Sequence, residues 1–94
     1  MTVYEMVLDY ADIKNKKQTL TEEAVNFLIE NSSSKLYNEN GELGYIFIDP
    51  AKSDEMIKES KNEFGDNLEI FNEIKEFINK FLKGKKEDVL FSVI

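Results

Sequence analysis

The sequence predicts an α+β fold, with four helices packed on a small antiparallel sheet made of a hairpin (35–48) and a C-terminal strand (88–94). Three observations lead there. Apolar residues recur at helical spacing over 68–82, an Asn-Gly pair separates two short runs at 36–48, and the chain closes on the β-branched and aromatic run Val89-Leu90-Phe91-Ser92-Val93-Ile94. Helices grouped apart from a short antiparallel set of strands are the mark of this class.

Each element follows from its local signals. Thr2-Val3-Tyr4-Glu5 fits a capping box, and Val3, Met6, Val7, Tyr10 and Ala11 then recur at helical spacing, so a first helix is expected over about 3–14. Val3–Leu8 also fits a strand. Asn15-Lys16-Lys17-Gln18 reads as the loop that follows. Thr21 is placed to cap a second helix, with Glu22 and Glu23 in its positive first turn and Leu20 and Val25 at the two positions of a hydrophobic staple. Ala24, Val25, Phe27, Leu28 and Ile29 supply its apolar face, and Ser32-Ser33-Ser34 ends it.

In the hairpin, Asn40-Gly41 suits a turn with positive φ at both central positions. The return strand Gly44-Tyr45-Ile46-Phe47-Ile48 is apolar on both faces, so it is either covered twice or presents an interface. Asp49-Pro50 is a cap followed by proline at the first helical position, and opens a third helix running to about Phe64. Met56, Ile57, Ser60 and Phe64 form its inner side, and Gly65 is expected to end it in the left-handed conformation. Asp66 then caps a fourth helix with Glu69 as its capping partner, carrying the stripe Leu68, Phe71, Ile74, Phe77, Ile78, Phe81 and Leu82. No repeat or linker interrupts the 94 residues, which read as a single domain, 1–94.

Composition narrows the chemistry. The chain contains no Cys, His, Trp or Arg, and its 12 lysines face 19 acidic residues for a formal charge of −7. That removes disulfides, thiol nucleophiles, imidazole bases and the usual zinc and non-haem iron ligand sets. It also removes the planar fork that grips phosphate or guanine in two places. Only carboxylates, lysine, tyrosine and hydroxyls remain for catalysis, and the chain is read as a non-enzyme that uses no cofactor and no metal.

The start of the sequence shows no basic stretch followed by an apolar run, and nowhere do 18 apolar residues run together, so a cytoplasmic protein without membrane contact is expected. Asn38-Glu39-Asn40-Gly41-Glu42 resembles a calcium loop only superficially, because the first and twelfth positions hold Leu36 and Phe47 where acids are needed. Lys80, Lys83, Lys85 and Lys86 form the basic cluster, which suits a helix C-terminus; with −7 overall, direct nucleic-acid binding is disfavoured.

The acids concentrate on the last two helices. Glu55, Glu59 and Glu63 stand four apart, as do Glu69 and Glu73, with Glu76 three further on. Each set makes a column with neighbours about 6 Å apart along the helix axis. An ordinary solvated face is one explanation, since Glu is a good helix former. A partner-binding face for a basic protein surface is the other, and these six glutamates are its candidates. Inhibitors, immunity proteins and anti-defence proteins of mobile elements share this profile of small size, acidity and missing catalytic groups. The alternatives are a self-associating assembly protein, using Tyr45, Phe47, Phe91 and Val93 in a homodimer, and a nucleic-acid mimic. Mimicry ranks last, because DNA carries a charge per roughly 1.7 Å of axis, far denser than these columns.

Overall fold

The computed structural model describes residues 3–8 and 16–93 of the 94, with side chains from Leu20 to Ser92. Within them the order is β1 (Val3–Leu8), β2 (Lys16–Thr21), α1 (Glu22–Glu30), β3 (Ser34–Tyr37), β4 (Leu43–Ile48), a 3₁₀ turn (Pro50–Lys52), α2 (Ser53–Phe64), α3 (Leu68–Phe81) and β5 (Val89–Val93). The class is mixed α+β, with the expected antiparallel trio β3-β4-β5 inside a sheet of order β2-β1-β5-β4-β3.

The first helix is a correction: Val3–Leu8 is a strand, and the rest of that span and its Thr2 cap lie outside the described residues. The expected loop residues Lys16-Lys17-Gln18 are strand as well, because β2 supplies the antiparallel partner that β1 needs, pairing Leu8 with Lys16 through Val3 with Thr21. On its other side β1 pairs with β5, Met6 opposite Val93 and Leu8 opposite Phe91. Backbone pairing on both sides outweighs a helical spacing that only five residues carried. Among the described residues three α-helices therefore stand where four were expected.

The hairpin forms, but around a longer turn. Gly41 donates its N–H to the Asn38 carbonyl at 3.0 Å, so Glu39 and Asn40 are the central residues and Gly41 follows at φ +79°. The Asn38 side chain accepts from the N–H groups of Asn40 and Glu42, both at 2.9 Å, which holds the loop without a two-residue turn. β3 and β4 shift register between Leu36 and Tyr37.

Helix ends confirm some caps and move others. Thr21 Oγ1 accepts from Ala24 N–H at 3.4 Å, and the Asp49 carboxylate accepts from Ala51 N–H at 3.0 Å. The cap of α3 is Asn67, whose side-chain oxygen accepts from Ile70 N–H at 3.3 Å, rather than Asp66. Ile70 stands four residues before Ile74 and shares its buried face, while Leu68, six before, points outward and is 66% exposed. Gly65 has φ −57°, an ordinary helical value, so it does not end α2 left-handed. A Cβ there would sit 2.8 Å from the Lys61 carbonyl oxygen, and close approach is what requires glycine at this point.

The core lies between the helices and one face of the sheet. Ile46 and Ile48 from β4 and Val89 and Phe91 from β5 meet Ala24, Val25, Phe27 and Leu28 of α1, Met56 of α2 and Ile70, Ile74, Phe77, Ile78 and Phe81 of α3. Phe91 sits with its ring 5.0 Å from Phe77 and 6.2 Å, edge-on, from Phe81. Buried hydroxyls are satisfied locally: Ser53 donates to the Pro50 carbonyl at 2.6 Å and Ser60 to that of Ile57 at 2.7 Å.

Candidate functional site

The acidic candidates divide into residues that are free on the surface and one that is not. Glu55, Glu59, Glu63, Glu69 and Glu76 are exposed. Glu73 is half-buried, and its carboxylate takes the Thr21 backbone N–H at 3.1 Å and the Thr21 hydroxyl at 3.0 Å. Since Thr21 caps α1, Glu73 places a negative charge at the positive end of that helix and ties α3 to the β2–α1 junction. That is a structural duty, and it removes Glu73 from any surface that a partner could use alone.

The remaining acids are divided between α2 and α3, and two of them line different hollows. Glu76 lines a hollow of about 220 Å³ with Leu20, Glu73, Phe77 and Lys80. Glu63 lines a different one, of about 200 Å³, between α1 and α2. There Glu23, Asn26 and Glu30 of α1 stand across from Glu63 and Phe64 of α2, with Phe27 beneath. The Phe27 and Phe64 rings meet edge to face with centroids 6.0 Å apart. Spacing explains why α1 contributes two acids: Glu23 and Glu30 are seven residues apart, two helical turns, so they share a face. The six candidates omit Glu23 and Glu30. The i, i+7 spacing around Phe27 is legible in the sequence, but nothing local distinguishes these two acids from the denser set over 54–76.

The cleft is lined by acidic, amide and aromatic side chains. It offers three carboxylates at the rim and an aromatic floor, and it has no nucleophile, no imidazole and no glycine-rich loop. Among the described residues no group of three or more acidic side chains is arranged to hold a metal ion. The lysine cluster lies away from this cleft: Lys83 pairs with Asp54 at 3.7 Å across two exposed side chains, and Lys80 lies 5.3 Å from the Phe81 ring centre.

The self-association candidates also separate. Tyr45 is 40% exposed and Phe47 half-buried, both on the sheet face turned away from the helices. Phe91 is 0% exposed between Phe77 and Phe81, so alternation along β5 puts it in the core and out of reach of a second molecule. The side chain of Val93 is outside the described set, while its backbone pairs with Met6. β5 itself is an interior strand, paired with β1 on one side and β4 on the other.

Among the described residues no helix is long and apolar enough to cross a membrane. The chain matches no protein family, no curated protein and no solved structure with which it was compared.

Proposed function

We propose that this chain is a small acidic binding protein without catalysis, acting by covering a basic surface of a protein partner. The observation that supports this most is the α1–α2 cleft, where Glu23, Glu30 and Glu63 surround the Phe27–Phe64 pair. A lysine or arginine side chain from the partner would lay its methylenes along Phe64 and bring its charge among the three carboxylates. The exposed Glu55 and Glu59 on the same helix as Glu63 extend the negative potential beyond the cleft, which speeds encounter and sets orientation.

The test begins with capture of the partner from host lysate, followed by association rates at low and physiological salt. Glu30→Lys together with Glu63→Lys is the informative variant. Both positions lie at the C-terminal ends of their helices, where lysine suits the macrodipole, so folding is preserved. Binding should weaken about tenfold or more, equivalent to about 1.4 kcal/mol, chiefly through slower association. Wild-type association should fall as salt rises, because exposed charges are screened beyond about 8–10 Å. Unchanged rates in the folded variant overturn this reading.

A further inference from the structure

We propose that Asn40 is a site of self-modification, its side-chain amide converted to a carboxylate through attack by the backbone nitrogen of Gly41, and that the Asn38 side chain governs the rate. Asparagine is a chemically labile residue, and Asn40 alone among the asparagines of this chain precedes a glycine. Glycine has no Cβ to crowd its nitrogen. A Cβ built on Gly41 would meet nothing within 4 Å, so a ring has room to form there. Asn40 is exposed in the β3–β4 loop, and its side-chain amide has no partner among the described residues. Other asparagines are held. Asn26, Asn62, Asn72 and Asn79 lie within helices, where the following N–H belongs to the helical ladder. Asn31 donates its side-chain amide to the Phe27 carbonyl at 2.8 Å, and Asn67 caps α3.

The step needs water and no other reagent. The Gly41 nitrogen gives up its proton and bonds to Cγ of Asn40. The Cγ–Nδ2 bond breaks, and ammonia leaves with that proton, closing a five-membered cyclic imide. Water then opens the ring at either carbonyl. One opening gives aspartate on the original backbone, the other isoaspartate, in which the chain runs through Cβ and Cγ. Nothing is oxidised or reduced, and either product adds one negative charge to the −7 of the chain, between Glu39 and Glu42. The loop opposes the first step. Gly41 N–H donates to the Asn38 carbonyl at 3.0 Å, which holds the proton that must leave. Asn38 Oδ1 fixes the N–H groups of Asn40 and Glu42 on either side, at 2.9 Å each. Attack therefore waits on local opening of a loop whose bonds are all exposed. Asn38 is a positioning residue that slows the reaction. None of this involves the α1–α2 cleft, so the proposal stands apart from the binding reading above.

The whole protein, kept in mildly alkaline buffer and sampled over time, tests it. Peptide mapping by mass spectrometry locates each new acid, and enzymatic methylation of isoaspartate identifies the rearranged product. The folded chain should convert at Asn40 before any other asparagine, and about tenfold more slowly than the same chain unfolded in urea. Asn38→Ala should speed that conversion about fivefold, the worth of the two exposed hydrogen bonds it removes, with the melting curve nearly unchanged because the loop lies outside the core. Asn38→Asp should restore the rate to within about twofold of wild type, because a carboxylate accepts from the same two N–H groups. An Asn40 that stays an amide long after the unfolded chain has converted overturns the proposal. So does an acid that appears first at Asn31, an Asn38→Ala rate equal to wild type, or an Asn38→Asp rate as fast as that of Asn38→Ala.

Discussion

The Glu73 carboxylate grips Thr21 twice, accepting from its backbone N–H at 3.1 Å and from its hydroxyl at 3.0 Å. The two residues are 52 positions apart, so one half-buried side chain joins the middle of α3 to the first residue before α1. Glu73→Ala should cost about 1–2 kcal/mol, allowing for its partial exposure, because it leaves two donors without their charged acceptor. Glu76→Lys, on an exposed neighbour, should be within about 0.5 kcal/mol of wild type. Urea unfolding of the two variants checks the contrast, and equal midpoints would show the contact to be idle.

Thr21 serves two partners at once, since its hydroxyl oxygen also accepts from Ala24 N–H at 3.4 Å. Thr21→Val should therefore cost about 1–2 kcal/mol. Combined with Glu73→Ala, the two losses should fall short of additive by about 0.5–1 kcal/mol, because each variant already removes the hydroxyl–carboxylate bond. A double-mutant cycle measures that deficit directly.

Glycine at positions 41 and 65 answers to different constraints. Gly41→Ala meets nothing within 4 Å but must hold φ +79°, at a cost of about 1 kcal/mol. Gly41→Asn should recover most of that loss, since Asn tolerates the left-handed region. Gly65→Ala has an acceptable φ of −57° and would collide with the Lys61 carbonyl at 2.8 Å. It should destabilise despite the gain of about 0.4–1 kcal/mol that a Gly→Ala change brings in an unstrained helical site. Gly65→Asn should be no better than Gly65→Ala, and thermal melts of the four variants separate the two cases.

Phe91 and Phe47 are two strands' worth of the same residue on opposite faces. Phe91→Ala empties a site between Phe77 and Phe81 and should cost about 3–5 kcal/mol, enough to unfold much of the population at ambient temperature. Phe47→Ala, on the half-buried outer face, should cost clearly less than Phe91→Ala. Chemical denaturation gives both values.

The sequence made the elements from Thr21 onward largely legible and residues 3–8 and 16–18 misleading, for physical reasons. The stripe Ile74, Phe77, Ile78, Phe81 is long and periodic, so the helix was legible although its cap is Asn67 rather than Asp66 and Ile70, not Leu68, continues the buried face. Val3–Leu8 is too short for period to decide, and its strand state depends on β2 and β5, one of which begins more than 80 residues later. Lys16-Lys17-Gln18 carries no apolar pattern at all and becomes strand only through its backbone pairing. For the acidic faces, helical spacing located the glutamates correctly. It had no means of showing that Glu73 reaches Thr21, or that Glu23 and Glu30 come to stand beside Glu63, because both are facts about helix packing.

The placement of β5 bears on how the fold assembles during synthesis. β1 with β2 and β3 with β4 are hairpins of adjacent segments, able to pair as soon as each emerges from the ribosome. The two do not pair with each other: Val89–Val93, last in chain order among the described strands, lies between them. Until that strand is in place each hairpin shows the ribosome's surroundings an open seam, and α1, α2 and α3 cover a sheet that is still in two pieces. Closure is thus a late, long-range event that topology makes slow relative to the local steps. A nascent chain halted before Val89 is the species most exposed to proteases and to pairing with the wrong strand.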